Sequence, residues 1–242
     1  MSVLKPGLAD RYEKVKSNLA LAEKESLRAA GSVFLLPVSK TFDIEAIREA
    51  VGCGMHAFGE NYVQEGIEKI RWFRENEPNL DLTWHFIGRL QSNKTRPVAE
   101  HFDWVQTVDR LKIAERLSEQ RPVELGPLNV LIEVHISGED SKGGCEPMDV
   151  PALAQAVTTL PNLKLRGLMA IPAPSDTEEG KKAPLREMFS LYTQLKDMGF
   201  DIDTLSMGMS NDYEKAIACG ATMIRPGRAL FGERAQKTQE EV

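Results

Sequence analysis

The sequence predicts a closed (β/α)8 barrel of the TIM type, with an extra helix at its N-terminus. Three observations lead there. Short β-branched or aromatic apolar runs alternate with longer segments of helical spacing, the pattern of successive parallel βα units. About eight such units fit in 242 residues, close to the roughly 250 of a barrel and more than most open sheets hold. The chain opens with an amphipathic helix, Leu8 to Leu27, that puts Tyr12, Val15 and Leu19 on one face. Only the polar segment 233–242 remains after the last unit, so no helix is expected beyond Arg225. The opening helix would then cover the place of the missing last one.

Val33 to Val38 reads as the first strand and Ile44 to Val51 as its helix. His56 to Gly59 starts the second unit, whose helix runs through Ile67, Ile70 and Phe73. Trp84 to Ile87 with a helix near Lys94 to His101, then Trp104 to Val108 with Leu111 to Glu119, follow the same pattern. The next pairs are Leu128 to Ile136 with Leu153 to Leu160, and Leu163 to Met169 with Leu185 to Met198. Ile202 to Ser206, the helix Tyr213 to Cys219 and the strand Thr222 to Arg225 complete the set. No Gly/Ser/Pro linker divides the chain. Residues 1–242 therefore read as a single domain, with a core over 8–232 and a polar tail over 233–242. The longest irregular stretch, Ile171 to Lys182, contains Pro172, Pro174 and Gly180 and is expected to be a surface loop.

Composition excludes several function classes. Hydrophobic residues make up 42% and charged residues 27%, ordinary for a soluble globular chain. A net charge of −6 without a long Lys/Arg run argues against nucleic-acid binding, which rests on neutralising phosphates. Cys53, Cys145 and Cys219 are odd in number and far apart, which disfavours a disulfide framework and suits a reducing, cytoplasmic compartment. His56, His85, His101 and His135 lack zinc-ligand spacing, so no metal is expected. The first eleven residues lack the apolar core of a signal peptide, and no run is long enough to span a bilayer. A monomer is expected.

In a barrel, functional residues gather where strands end and βα loops begin. Those positions carry Ser39 and Lys40, Glu60 and Asn61, then Gln91, Asn93 and Lys94. Asp109, the Ser137 to Gly144 loop with Lys142, the Ser206 to Asp212 loop and Arg225 to Arg228 follow. Lys40 closes the apolar run Phe34-Leu-Leu-Pro-Val-Ser and would project into the barrel mouth. Desolvation there can keep an amine partly neutral, as condensation with a carbonyl requires. A lysine at a plain exposed strand end would occupy the same position.

The loop Ser206-Met-Gly-Met-Ser-Asn-Asp-Tyr-Glu has Gly208 for a tight bend, and Ser210 or Asn211 to cap a helix starting at Asp212. Asn211 and Glu214 have capping-box spacing. Free N–H groups at such a start bind anions, and the donor-rich Arg225-Pro-Gly-Arg ends the following strand. The two loops follow strands seven and eight, a common phosphate site in barrels. His85, within Trp84-His-Phe-Ile-Gly, reads as a satisfied strand histidine, with a place near the site as the alternative. No P-loop, GxGxxG fingerprint or Ser-His-Asp triad is present.

With those residues in view, the sequence closely resembles the pyridoxal phosphate homeostasis protein family, barrels similar to the N-terminal domain of alanine racemase. The matching segments are Val38-Ser-Lys40-Thr, Phe58-Gly-Glu-Asn61-Tyr-Val-Gln-Glu and Trp84-His-Phe-Ile-Gly-Arg-Leu-Gln-Ser-Asn-Lys94. Ser141-Lys142-Gly-Gly, Gly167-Leu-Met-Ala, Ser206-Met-Gly-Met-Ser210 and Arg225-x-Gly227-x-x-x-Phe231-Gly match as well. The resemblance runs from about Leu8 to Gly232. It implies pyridoxal 5′-phosphate as cofactor and Lys40 as its Schiff-base lysine. Asn61 would lie near the cofactor, Met209 and Ser210 would contact the phosphate, and Arg225 would face the pyridine ring. Gly227 and Arg228 would close the phosphate cup.

The resemblance further implies a carrier in intracellular vitamin B6 homeostasis without robust catalysis, serving apo-forms of pyridoxal phosphate-dependent enzymes. An amino-acid racemase or related enzyme is the competing reading. Racemases of this fold share the arginine but add a second acid/base from a further β-domain and a partner subunit. Here about ten residues follow Gly232. A third reading is an aldolase-like barrel using Lys40 on a sugar phosphate without any cofactor. Three positions depart from the family pattern: Arg228 replaces a usual Ser or Thr, Pro226 an aliphatic residue and Arg89 a frequent Pro. A guanidinium at position 228 pointing into the cup would strengthen phosphate binding through its charge.

Overall fold

The computed structural model describes residues 7–136 and 143–233. Lys142 and the tail beyond Glu233 lie outside the described residues. The chain runs α1 (Leu8–Glu25), β1 (Phe34–Leu35), α2 (Ile44–Gly52), β2 (Ala57–Glu60), α3 (Val63–Asn76) and β3 (Thr83–Phe86). It continues through α4 (Thr95–His101), β4 (Trp104–Val108), α5 (Leu111–Gln120), β5 (Leu128–Glu133), α6 (Val150–Thr158) and β6 (Leu163–Met169). It ends with α7 (Glu178–Asp197), β7 (Thr204–Ser206), α8 (Tyr213–Ala218), β8 (Met223–Ile224) and α9 (Arg228–Phe231).

The eight strands form one parallel sheet in which sequence neighbours pair from β2 to β8, and β8 pairs with β1. Beyond the regular ladders, Gly59 N–H donates to Pro37 C=O at 2.8 Å and Ser39 N–H to Gly59 C=O at 3.0 Å. Those two bonds join β1 to β2 and bring the sheet round on itself, as the expected barrel requires. Leu36, Val38, Ala57, Ile87 and Met223 form a small apolar cluster of their own, and a much larger one unites strands and helices.

Several element ends differ from expectation, each for a local reason. β1 is regular only to Leu35, although Leu36 N–H still donates to Ile224 C=O at 2.9 Å and Val38 N–H to Pro226 C=O at 3.0 Å. Pro37 has no N–H to give on the β2 side. β5 stops at Glu133, and Val134 makes only an isolated bridge to Cys145. α7 starts at Glu178, so the irregular stretch ends at Thr177 rather than Lys182. The Thr177 hydroxyl accepts the Gly180 N–H at 3.0 Å, and Glu178 and Glu179 complement the helix dipole in the first turn. Pro184 lies inside this helix.

A helix also follows Arg225, contrary to expectation. It is the single turn α9, which buries Leu230 and Phe231. Because α9 is so short, α1 packs against α2, α8 and α9 and covers that sector. Val15 of α1 is buried, with Tyr12 and Leu19 packed partly beneath it. The buried Glu23 carboxylate accepts N–H bonds from Gly31 (2.9 Å) and Val33 (2.8 Å), pinning the segment that leads into β1. Among the described residues no helix is long and apolar enough to cross a membrane.

Candidate functional site

A cavity of about 850 Å³ opens at the C-terminal ends of the strands. Lys40, Asn61, Met209, Ser210, Arg225, Gly227 and Arg228, all nominated from sequence, line it together. Gln91, Asn93, Lys94 and Asp109, also at strand ends, do not. The segment from Ile171 to Ser175, with Lys181, forms a wall that the sequence reading treats only as a surface loop. Its position directly after a barrel strand is the signal that it belongs to the mouth.

Lys40 sits in a turn closed by the Phe42 N–H, which donates to Ser39 C=O at 3.1 Å. Thr41, the next central residue, has φ 69°. A β-branched side chain in that left-handed region costs about 1–3 kcal/mol and persists only where its surroundings hold it. Phe42 continues from the turn to stack on Phe231 of α9, with ring centroids 4.9 Å apart.

Asn61 follows β2 and is packed against the end of β3. A Cβ at Gly88 would lie 2.0 Å from the Asn61 carbonyl oxygen, so only glycine allows this approach. The Asn61 Oδ1 atom is buried without a hydrogen-bond partner. Such an acceptor costs about 1–3 kcal/mol unless a donor reaches it, and here it stands in a cavity wall.

The loops after β7 and β8 meet at Ser210. Its hydroxyl accepts N–H bonds from Gly227 at 3.2 Å and Ala229 at 3.1 Å. Gly208, at φ 95°, passes so close to α8 that a Cβ would lie 2.6 Å from that of Ala216. The expected capping box is not formed. α8 starts at Tyr213, and the Asp212 carboxylate turns back to accept the Met209 N–H at 2.6 Å. Glu214 is drawn outward to accept from the Asn18 amide of α1 at 3.3 Å. Ser210 thus caps the turn of α9 rather than α8. Arg228 lines the cavity with Ser210 and Gly227.

Arg225, only 4% exposed, lines the cavity from below. Its guanidinium donates to the Ser206 hydroxyl at 2.6 Å and to Ala170 C=O at 2.9 Å, tying together the ends of β6, β7 and β8. Burial pulls its pKa down to about 10, opposed by Asp212 and Glu133, so it remains a cation at neutral pH. Glu133, at the end of β5, is pushed up to about 7 by burial and by Asp109, against the pull of Arg225 and Arg89.

Behind Arg225 runs a directional hydrogen-bond file. The Ser206 hydroxyl donates to Gln106 Oε1 at 2.7 Å, and Gln106 Nε2 donates to His85 Nδ1 at 3.0 Å. His85 is buried and stacks on Trp104, with centroids 4.9 Å apart. Burial, reinforced by Arg166, pulls its pKa down to about 3. A neutral His85 accepts at Nδ1, which orients the Gln106 amide. That in turn directs the Ser206 proton away from Arg225 and leaves its lone pairs for the guanidinium. His85 is the satisfied histidine the sequence suggests, and it supports the site from a distance.

The file makes a pH prediction. Native His85 stays unprotonated down to about pH 3, whereas an unfolded histidine titrates near 6.5. Between those values the unfolded chain binds the extra proton, so the stability from His85 is present above pH ~6.5 and declines as pH falls, by up to ~1.4 kcal/mol per unit. The urea-unfolding free-energy gap between wild type and His85→Gln should therefore narrow from pH 6 to 4. A constant gap would show that His85 is not held neutral.

Residues 12–235 match the family model for the alanine racemase N-terminal domain. A pyridoxal phosphate homeostasis protein of Vibrio cholerae is 54% identical over 227 residues, covering 94% of this chain and 96% of that protein. The structure of PipY from Synechococcus elongatus with PLP bound aligns at a TM-score of 0.80 and 35% identity, over 93% of this chain and 100% of that one. An alanine racemase of Clostridium difficile shares the fold at a TM-score of 0.70 and 15% identity, and 58% of its chain is covered. The chain therefore belongs to the pyridoxal phosphate homeostasis protein family, on the fold of the alanine racemase N-terminal domain.

Proposed function

We propose that this chain binds pyridoxal 5′-phosphate in the barrel-mouth cavity and holds it on Lys40, as a carrier in intracellular vitamin B6 homeostasis rather than a catalyst. The observation that carries the reading is convergence. Residues at the ends of β1, β2, β7 and β8 bring one amine, one buried guanidinium and the Ser210 hydroxyl, which gathers the Gly227 and Ala229 N–H groups, to a single cavity. The donor set suits the cofactor: Asn61 Oδ1 stands without a donor, and Arg228 adds a cation beside the Ser210 cup.

When bound, the cofactor would supply an aldehyde carbon, and Lys40 would be the amine that holds it. The Lys40 turn delivers that amine to the mouth. Met209, Ser210, Gly227 and Arg228 would take the phosphate, and Asn61 would meet a polar edge of the ligand. Arg225, a donor-only cation fixed by Ser206 and Ala170, would face the pyridine nitrogen. A cation there disfavours ring protonation and weakens the ring as an electron sink, which suits holding better than carbanion chemistry. A two-base racemase also needs an acid/base on each face of its substrate. We read 8–232 as one monomeric binding domain that hands the cofactor to apo-forms of pyridoxal phosphate-dependent enzymes.

Lys40→Ala should lose both the visible absorption band of the loaded protein and the borohydride-stable adduct found in wild type. An adduct that maps to Lys94 or Lys142 in the wild-type chain would show that the attachment site is misplaced. Sustained racemisation of alanine, serine or glutamate at roughly 1 per second or faster would overturn the carrier reading.

A second substitution tests the cup. A charge-assisted hydrogen bond is worth about 1.5–3 kcal/mol, or roughly ten- to a hundredfold in affinity. Arg228→Thr should weaken cofactor binding by up to that factor and reduce its salt dependence. Equal affinities of variant and wild type at both low and high salt would remove Arg228 from the phosphate site.

A further inference from the structure

We propose that Lys69 is a positioning residue for Lys40: with Glu60 and Glu65 it clamps the strained turn that carries Lys40 and keeps that side chain aimed into the cavity. The inference rests on the reading of Lys40 as the attachment amine. Lys69 itself does not line the cavity and acts only through the backbone on either side of Lys40.

The Lys69 ammonium is buried between α3 and β2, and its three donors meet three acceptors. It donates to Ser39 C=O at 3.0 Å, Glu60 Oε1 at 2.8 Å and Glu65 Oε1 at 2.6 Å. Both carboxylates also grip the turn. Glu60 Oε1 accepts the Ser39 hydroxyl at 2.6 Å, and Glu65 Oε1 accepts the Thr41 N–H at 2.6 Å. The residues immediately before and after Lys40 are therefore tied to one buried cation on another element.

That tie falls where it is needed. Thr41 has φ 69°, and a β-branched residue left to itself returns to negative φ, which would rotate Lys40 away from the mouth. Gly66 makes the clamp possible. A Cβ there would lie 2.6 Å from Phe102 Cζ and 3.2 Å from Glu60 Cβ, forcing α3 off β2 and withdrawing Lys69. Buried ion pairs are poor devices for stability alone, because desolvation offsets much of their attraction. Holding a strained backbone beside a reactive amine is a use that this geometry does serve.

The test uses the purified full chain and two probes. Pyridoxal 5′-phosphate reports the rate of borohydride-trapped adduct formation on Lys40, read by peptide mass. Pyridoxine 5′-phosphate, an alcohol that cannot condense, reports ring and phosphate binding alone. At saturating aldehyde, Lys69→Met should slow adduct formation by about tenfold or more, the scale of a small misplacement of a reacting group. Its affinity for the alcohol should change by less than about threefold, since ground-state binding is retained. Adding Thr41→Gly, which accepts positive φ without strain, should restore most of the rate.

If Lys69→Met loses cooperative unfolding, Glu65→Gln takes its place, because it keeps the Lys69–Glu60 pair and weakens the Glu65 link between Lys69 and Thr41. It too should slow the adduct while sparing alcohol binding. A wild-type adduct rate in the folded variant overturns the proposal. So does an equal loss of alcohol affinity, or a failure of Thr41→Gly to restore the rate. No adduct on Lys40 in wild type would instead sink the underlying reading of the site, and this inference with it.

Discussion

The Arg225 guanidinium is buried where β6, β7 and β8 end, and the mouth of the barrel is organised around it. A charge in that position is tolerable only where acceptors meet its donors, and the Ser206 hydroxyl at the end of β7 and the Ala170 carbonyl after β6 take two of them. The requirement reaches further back. Ser206 presents lone pairs to the guanidinium because its own proton is taken by Gln106, whose amide is oriented in turn by a neutral His85. A four-residue file through the barrel interior thus fixes one cation, and that cation sets the electrostatics of the cavity above it.

The strands that carry this chemistry are also the shortest in the ring. β1 and β8 have two residues each, and they hold the segments leading to Lys40 and Arg225. Backbone bonds such as Leu36 N–H to Ile224 C=O and Arg225 N–H to Gly208 C=O run past the ends of these short strands, and side chains add to them. Arg28 donates to the Ile217 and Ala221 carbonyls, Arg11 to those of Leu230 and Phe231, and Glu23 receives the N–H groups ahead of β1. All of these except Arg28 belong to α1, and Arg28 lies just beyond it. The additional helix is therefore a buttress for the functional sector as well as a cover for a missing final helix.

Much of this was legible in the sequence because it depends on local pattern. Period and length announce the βα units, and barrel geometry sends strand-end residues such as Lys40, Asn61 and Arg225 to one face. What escaped depends on competition between partners far apart in the chain. Asn211 and Glu214 have the spacing of a capping box, yet Asp212 is taken by the Met209 N–H and Glu214 by Asn18. The stretch up to Lys182 reads as irregular, while the Thr177 cap starts α7 at Glu178. Lys69, four residues after Glu65 on α3, carries no sequence signal that links it to the site. Only the approach of α3 to β2 at Gly66 makes it a buried clamp.

The central claim is that the cavity holds the ring of pyridoxal 5′-phosphate with its nitrogen toward the Arg225 cation. The most direct measurement is the nitrogen-15 chemical shift of ring-labelled cofactor bound to the wild-type chain, followed from pH 6 to 9. Arg225 keeps its charge throughout that range, since burial lowers its pKa only to about 10. The account predicts the shift of an unprotonated pyridine nitrogen at every pH. A protonated nitrogen at neutral pH would contradict it, because a ring facing a donor-only cation has no acceptor there to stabilise the added proton.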